Sequence, residues 1–209
     1  MSELTYEVET RVYFNSDEEA FSKLPFLKDS LTNKMEWVTY TYSPKLFKDG
    51  SLLRASKVYK DGNMKAYLGY KEPDTGSFCN IRVELDEDIT EGAMDSTVLK
   101  AIGGKAALIN SDNMDEVLAS LGHEKFMTFK GHNLTGYNAE YNIALKLMYC
   151  DILQYPILLE IEKSAGSTEE ALKAEGEIRE LVEHFGIKDR VVRKEPPTLL
   201  YDALFKTGE

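Results

Sequence analysis

Two short segments far apart in this chain carry the same pattern of acidic and apolar residues. The segment YEVETRVYF contains Glu7 and Glu9, and the segment ILLEIEK contains Glu160 and Glu162. Because alternate residues of a β-strand point to the same face, each segment presents two carboxylates on one side and apolar side chains on the other. The sequence therefore predicts strands with one acidic face, and four such carboxylates on a common surface would suit a divalent cation bound through oxygen ligands.

Acidic pairs with this spacing are common, so the pattern needs support from its surroundings. With 36 Asp and Glu in 209 residues, roughly six pairs are expected by chance, and a single pair is also typical of a strand with a solvated face. A third pair lies in the alternating segment IRVELD, where Arg82, Glu84 and Asp86 share one face. Acidic and basic residues thus recur together on strand faces, as a site for a metal and an anion requires.

Composition limits the classes of partner. The formal net charge of −11 disfavours sequence-independent binding to nucleic acid through a basic surface. No apolar run is long enough to cross a membrane and the first residues are acidic, so we expect neither a membrane span nor a signal peptide. Cys79 and Cys150 lack the spacing of metal motifs, which favours free buried thiols and a cytoplasmic location.

The length favours a single domain over residues 1–209. Eight strands are predicted, at residues 4–14, 36–42, 52–59, 64–70, 79–86, 124–129, 137–149 and 157–162. Strands 52–59 and 64–70 are predicted to form a hairpin around Asp61-Gly62-Asn63. Helices are predicted to start near Ser16 and to cover residues 94–102, 112–121 and 168–184, the last with its cap at Ser167, followed by an amphipathic segment at 199–205. Many antiparallel strands with charged alternate positions favour an α+β protein, an eight-stranded β-barrel or tunnel with flanking helices, over a doubly wound sheet.

The order of these segments resembles the CYTH superfamily, also called the triphosphate tunnel metalloenzymes. The E-x-E-x-K strand of that family is matched by Glu7, Glu9 and Arg11, and its last acidic strand by the segment LEIE. The other matches, which extend over most of the chain, are Leu53-Arg54, the segment YLGYKEP with Lys71, the strand of Arg82, Glu84 and Asp86, Lys130, Asp151 and the final segment PPTLLYDALF. Three positions depart from the family pattern, because Arg11 replaces a lysine and Ser56 and His132 stand where arginine is common.

The resemblance implies a function and a role for each matched residue. It implies Mg²⁺ or Mn²⁺ as cofactor and a small-molecule triphosphate as partner, in a monomer or homodimer. The implied metal ligands are Glu7, Glu9, Glu84, Asp86, Asp151, Glu160 and Glu162. The implied substrate-binding residues are Arg11, Arg54, Lys71, Arg82 and Lys130, and the implied catalytic residues are Arg11, Glu160 and Glu162. Planar guanidinium groups and point-like ammonium groups both bind phosphate.

Three functions stay open at this point. The favoured one is metal-dependent hydrolysis of an inorganic, thiamine or nucleoside triphosphate. The alternatives are a class IV adenylyl cyclase that makes cyclic AMP from ATP, and a non-catalytic module that binds polyphosphate or a nucleotide. The departures at Ser56 and His132 remove cations and favour the binding module, whereas the retained acidic pairs favour an enzyme.

Overall fold

The computed structural model describes residues 5–105 and 107–206. Within them the strands are β1 (Tyr6–Phe14), β2 (Leu31–Tyr42), β3 (Leu52–Lys60), β4 (Asn63–Lys71), β5 (Asn80–Asp88), β6 (Lys125–Asn138), β7 (Ile143–Tyr149) and β8 (Ile157–Ala165). The α-helices are α1 (Asp17–Lys23), α2 (Leu27–Ser30), α3 (Pro44–Lys48), α4 (Thr97–Ala101), α5 (Met114–Ser120), α6 (Thr168–His184) and α7 (Pro196–Phe205). The strands form a closed barrel in the order β1-β5-β4-β3-β2-β6-β7-β8. The predicted α+β fold with an eight-stranded antiparallel barrel is confirmed.

Three predicted strands differ from the observed ones by five or more residues at one end. The segment predicted at 36–42 is the end of β2, which begins at Leu31. The segments predicted as strands at 124–129 and 137–149 are instead β6, which continues to Asn138, and β7, which begins at Ile143. The turn between them forms because the Asn138 side chain accepts a hydrogen bond from the backbone N–H of Tyr141 (3.0 Å) and Asn142 adopts a positive φ of 52°. Local asparagine chemistry therefore ends the strand inside a stretch that reads as β-forming.

The chain divides into two compact units. The first comprises the described residues of Met1–Met35, Thr75–Arg82 and Gly131–Glu209, and the second comprises those of Glu36–Asp74 and Val83–Lys130. Strands β2, β5 and β6 contribute residues to both units. The single domain over residues 1–209 stays a prediction.

In the first unit, β1, β8 and β7 form an antiparallel ladder with two different faces. One face is apolar and buries Val8, Val12, Leu159 and Ile161 in a core that also contains residues of α6. Helix α6 begins at Ser167, whose hydroxyl accepts a hydrogen bond from the backbone N–H of Glu170 (3.2 Å). Because side chains alternate along each strand, the opposite face of the ladder carries the charged residues.

In the second unit, β3 and β4 form the predicted hairpin. Its two-residue turn is Asp61-Gly62, and both residues have positive φ, as a type I′ turn requires. One face of the hairpin buries Leu53, Ala55 and Leu68 in a core shared with residues of α4 and α5. The other face carries Arg54. As in the first unit, helices cover the apolar face of the strands, and the charged side chains lie on the opposite face.

Two further expectations concern the cysteines and the membrane. Cys79 and Cys150 are both free and buried, as predicted. Burial, with a smaller contribution from the charge of Glu175, raises the pKa of the Cys79 thiol to about 12. Among the described residues, no helix has both the length and the apolar character needed to span a membrane.

Candidate functional site

The acidic segments recognised in the sequence are direct neighbours in the first unit. Strands β1 and β8 pair in antiparallel register, so Glu9 lies opposite Glu162 and Arg11 lies opposite Glu160. Glu7 shares their face because it is two residues from Glu9. This surface, which we call the charged face, is defined by Glu7, Glu9, Arg11, Lys146, Glu160 and Glu162.

Arg11 is the centre of the charged face. Its side chain is buried, Nε donates to Glu160 Oε1 at 3.0 Å and Nη1 donates to Asn80 Oδ1 at 2.9 Å. A third hydrogen bond joins Nη2 to Glu9. Burial alone would lower the pKa of Arg11, but the negative charges of Glu9 and Glu160 outweigh it and raise that pKa. The guanidinium is therefore permanently charged and held in one orientation.

Glu160 binds a second cation on its other side. Lys146 lies directly opposite Glu160 in the β7–β8 ladder, and its ammonium group contacts Glu160 Oε2. Burial would raise the pKa of Glu160, but the positive charges of Lys146 and Arg11 more than compensate and lower it. A buried carboxylate with a cation on each oxygen stays ionised at neutral pH.

A carboxylate from the end of the chain also reaches this cluster. Glu195 is buried, with Oε1 at 3.6 Å from Arg11 Nη2 and 3.5 Å from Arg82 Nε. Among residues 5–105 and 107–206, none donates a hydrogen bond to this oxygen. Its segment is attached to β1, because the backbone N–H of Val192 donates to the carbonyl of Arg11 (2.8 Å). Glu195 thus faces two of the predicted phosphate-binding arginines.

The second unit carries a smaller cluster of predicted site residues. Arg54 Nη2 donates to Glu84 Oε1 at 2.8 Å, and Lys71 Nζ lies 3.6 Å from the same oxygen. Lys71 is the last residue of β4 and is only 3% exposed, although its sequence context near a turn is typical of an exposed lysine. Asp86 lies opposite Gly69 in the β4–β5 ladder and is exposed.

The remaining predicted residues lie elsewhere. Asp151 is exposed in the turn after β7, beyond the pair of Tyr149 and Ile157 that closes the β7–β8 hairpin. Lys130 is an exposed residue of β6 in the second unit. The structure therefore gives neither of them a place on the charged face. Their predicted roles, like those of the other site residues, stay predictions.

Two of the three departures from the family pattern, Ser56 and His132, have local structural roles. Ser56 and Thr39 face each other across β3 and β2, and their hydroxyls hydrogen-bond at 2.8 Å. His132 stacks on Tyr149 with ring centroids 4.4 Å apart. A neutral pair of hydroxyls and a stacked imidazole replace positions where a guanidinium is common, so fewer cations are available for an anion.

The donor chemistry of the charged face fits a hard divalent cation. Glu7, Glu9 and Glu162 supply only carboxylate oxygens, the ligands that Mg²⁺ and Mn²⁺ prefer. Across the described residues, no three His, Cys, Asp or Glu side chains are already gathered closely enough to hold a metal ion. Because Mg²⁺ commonly uses only one or two carboxylates together with phosphate and water oxygens, these residues fit an ion that arrives with a phosphate ligand.

Three residues of the cluster were not identified from the sequence. The alternation in IALKLMY places Lys146 on the face opposite Leu145 and Leu147, so it could have been found once β7 was paired with β8. Asn80 and Glu195 carry no such signal, because their positions depend on the loop before β5 and on the segment before α7. Tertiary contacts alone bring these two residues to Arg11.

A cavity of about 560 Å³ adjoins the charged face in the first unit. It is lined by Asp29, Ser30, Thr32, Asn33, Thr135, Gly136, Tyr137, Ala144, Leu145, Lys146, Glu160 and Glu162. The charged face thus opens into a space large enough for a small organic molecule.

No protein-family model and no curated protein sequence matches this chain. Several solved structures share its fold. The PH1819 protein of Pyrococcus horikoshii OT3 is 18% identical with a TM-score of 0.73, and the match covers 94% of this chain and 98% of that one. A candidate adenylate cyclase of Vibrio parahaemolyticus is 14% identical with a TM-score of 0.63, covering 93% and 97% of the two chains.

A third structure carries a described activity. HpAC1 of Hippeastrum, a candidate adenylyl cyclase described as having a dominant triphosphatase activity, is 14% identical with a TM-score of 0.57. That match covers 95% of this chain and 96% of HpAC1. At such low identities the likeness concerns the fold alone.

Proposed function

We propose that this protein is a divalent-metal-dependent triphosphatase that cleaves a triphosphate into diphosphate and phosphate. The observation that carries the proposal is the row of Lys146, Glu160 and Arg11, side by side across β7, β8 and β1. Removing an ion from water costs several kcal/mol even after relaxation, and apolar residues in its place are often as stable. A chain that keeps the charges of Arg11 and Glu160 buried is therefore expected to use them.

The cations of the first unit suit a polyphosphate. Arg11, Arg82 and Lys146 provide a planar fork or a point charge for non-bridging oxygens. Phosphoryl transfer depends mainly on positioning and on neutralising charge on the equatorial oxygens, so groups that are already oriented favour the transition state. Glu160 contacts both Arg11 and Lys146, and we assign it the role of positioning them.

The acidic residues suit the metal. Glu7, Glu9 and Glu162 would hold Mg²⁺ or Mn²⁺, which when bound supplies Lewis-acid stabilisation of the phosphoryl oxygens. Without a cation, these carboxylates repel one another across the β1–β8 ladder. Glu162 is half-buried at the cavity, so its charge lies where a ligand has access.

Likeness in fold gives hydrolysis a modest preference over cyclisation. HpAC1 is described as dominantly a triphosphatase, whereas the Vibrio protein is named only as a candidate adenylate cyclase. Because one fold hosts several activities, this support is by analogy.

A second candidate function is binding of a polyphosphate without turnover. The observation that favours it is the state of Arg11, whose guanidinium already donates to Glu9, Glu160 and Asn80. A guanidinium engaged in this way has little capacity left for a developing phosphoryl charge. In that case Lys146 and Arg82 would provide the remaining attraction for an anion.

Phosphorus NMR separates these functions. The protein is incubated with Mg²⁺ or Mn²⁺ and, in separate samples, tripolyphosphate, ATP and thiamine triphosphate. Release of phosphate that Glu162→Gln abolishes supports the proposal, and Glu180→Gln, at an exposed position of α6, is the matched control that should retain activity. Cyclic AMP with pyrophosphate would identify a cyclase. Unchanged substrates that nevertheless raise the melting temperature would identify a binding module.

A further inference from the structure

The cavity beside the charged face is larger than a phosphate chain and a metal ion need. Its volume of about 560 Å³ lies within the range of roughly 300–1,000 Å³ typical of small-molecule sites. Lys146, Glu160 and Glu162 form one side, and the residues around Tyr137 and Asn33 form the other. The cavity is therefore lined both by charged residues and by the aromatic and polar residues around Tyr137 and Asn33.

The strand register explains that difference. Across β6, β7, β8 and β1, one row of facing residues is Thr135, Lys146, Glu160 and Arg11. The next row is Tyr137, Ala144, Glu162 and Glu9. The first row alternates charges, whereas the second begins with an aromatic ring and continues with a residue that has only a methyl group.

Ala144 creates space between an aromatic ring and a carboxylate. Neighbouring strands are ~4.8 Å apart, so the backbones that carry Tyr137 and Glu162 are about 10 Å apart. The residue between them on this face is Ala144, whose side chain is a single methyl group. A planar ring placed over Ala144 would meet the Tyr137 ring on one side and the Glu162 carboxylate on the other.

Tyr137 has a restrained tip and an accessible ring. Its hydroxyl donates to Asn142 Oδ1 in the turn after β6, and its side chain is 56% exposed. An exposed aromatic residue bordering a polar cavity provides a stacking surface for a heteroaromatic ring. The hydrogen bond to Asn142 lowers the conformational entropy that the side chain would lose on binding a ligand.

The wall of the cavity is built from backbone. At Gly136 a Cβ atom would lie 1.6 Å from the carbonyl oxygen of Ser30, so only glycine permits this approach between β6 and the start of β2. The Ser30 hydroxyl also accepts a hydrogen bond from Asn138 Nδ2 at 3.0 Å. Close backbone contact therefore fixes this part of the cavity wall within the first unit.

We propose that this cavity binds the head group of an organic triphosphate, a heteroaromatic ring of nucleobase size that carries N–H donors. The ring stacks on Tyr137 above Ala144, and Asp29, which lines the same cavity, accepts its N–H groups. The proposal rests on the proposed function, because it assigns the phosphates of the same ligand to Lys146 and Arg11. Inorganic tripolyphosphate has no group for this cavity, so the preferred substrate is an organic one.

Steady-state kinetics with two substrates test the assignment. ATP and tripolyphosphate are compared on the wild type, Tyr137→Ala and Tyr137→Phe, all with Mg²⁺. We expect Tyr137→Ala to lower kcat/KM for ATP by about 5- to 100-fold, the range of a lost base–aromatic stack, and to leave tripolyphosphate within about twofold. Tyr137→Phe keeps the ring but loses the hydrogen bond to Asn142, so its loss on ATP should be clearly smaller than that of Tyr137→Ala. An equal loss on both substrates, or no loss on ATP, overturns the proposal.

A binding experiment separates this inference from the proposed function. Adenosine, which has no phosphate, is titrated into the protein and followed by NMR and calorimetry. If no triphosphate is hydrolysed but adenosine shifts the Ala144 methyl resonance and Tyr137→Ala removes its binding, the cavity assignment holds and the triphosphatase proposal fails. If tripolyphosphate is hydrolysed while adenosine does not bind, the assignment is overturned and the triphosphatase stands. If neither hydrolysis nor adenosine binding is found, both are wrong.

Discussion

Arg11 and Glu160 face each other across the β1–β8 ladder, and Arg11 Nε donates to Glu160 Oε1 at 3.0 Å. Both side chains are almost completely excluded from solvent. The same Glu160 contacts Lys146 from the neighbouring strand, so one carboxylate joins two cations. Stability, acid sensitivity and anion affinity of the first unit should all depend on this arrangement.

Removing Arg11 should destabilise the protein strongly. In Arg11→Met, the buried carboxylates of Glu9 and Glu160 lose their shared cation, and breaking a buried ion cluster in this way typically costs about 3–5 kcal/mol. Urea unfolding at pH 7 measures the loss as a lower midpoint. Arg11→Lys is the matched control, since it keeps the charge and loses the fork that reaches three partners, and it should fall between Arg11→Met and the wild type.

A small loss in Arg11→Met would contradict the buried cluster. If the midpoint corresponded to a change of less than about 1 kcal/mol, the carboxylates would have to be solvated, as in a surface ion pair. Arg11→Lys and Arg11→Met would then be indistinguishable.

Glu160 should make the protein sensitive to acid. Burial raises its pKa, but Lys146 and Arg11 lower it below the ordinary value of 4.5 in the folded protein. A depressed folded pKa means that the stabilising contribution is present above the unfolded value and is lost as the pH falls through the folded value. We therefore expect the free energy of unfolding to decrease below about pH 4.5 less steeply in Glu160→Gln than in the wild type.

Chemical unfolding at a series of pH values between 2 and 7 measures this difference. Glu180→Gln, at an exposed site on α6, should keep the slope of the wild type. Identical slopes for Glu160→Gln and the wild type would show that the ionisation of Glu160 is not linked to folding.

Two glycines should respond to alanine in opposite directions. Gly136→Ala would place a Cβ atom 1.6 Å from the Ser30 carbonyl oxygen, whereas Gly176→Ala in α6 would place one that, outside its own stretch of helix, meets no described atom within 4 Å. We expect Gly136→Ala to lower the free energy of unfolding by about 2 kcal/mol or more, because backbone must move. Gly176→Ala should raise it by about 0.5–1 kcal/mol, because alanine is the better helix former.

Thermal or chemical unfolding of both glycine variants measures the contrast. The comparison also tests the wall of the cavity. A Gly136→Ala variant as stable as the wild type would mean that β6 and the Ser30 backbone are not in contact.

Sequence patterns predicted the fold because they act over short distances. The alternation in β1 and β8, the Asp61-Gly62 turn and the Ser167 cap each depend on a few neighbouring residues, and all are present as expected. The boundary between β6 and β7 was missed because Asn138 caps a turn inside a β-forming stretch. Pairing of β7 with β8, which aligns Lys146 with Glu160, depends on the assembled sheet.

Only the part of the candidate site that depends on short-range patterns was predicted from the sequence. Glu7, Glu9 and Arg11 share a face by local spacing alone, so the sequence was sufficient to group them. Glu195 is more than 180 residues away from Arg11 along the chain. Contacts of its segment, such as the backbone hydrogen bond from Val192 to Arg11 and the bond from Arg193 to the Cys79 carbonyl, bring it near. Contacts between segments so distant have no local pattern from which they could be inferred.

Glu195 should weaken the binding of anions to the first unit. Its Oε1 atom lies 3.6 Å from Arg11 Nη2 and 3.5 Å from Arg82 Nε. Its negative charge therefore partly neutralises the two arginines and weakens their attraction for a phosphate. Glu195→Gln removes the charge and keeps the shape, and no hydrogen bond of this side chain caps α7. We expect the dissociation constant for tripolyphosphate with Mg²⁺ to fall roughly tenfold, or ~1.4 kcal/mol.

The rise in melting temperature with ligand concentration gives that constant without requiring turnover. Glu183→Gln, whose exposed carboxylate pairs with Lys188, should leave it unchanged. An increase in the dissociation constant would instead mean that Glu195 helps to bind the metal or to orient Arg82, and that its charge acts in favour of the ligand.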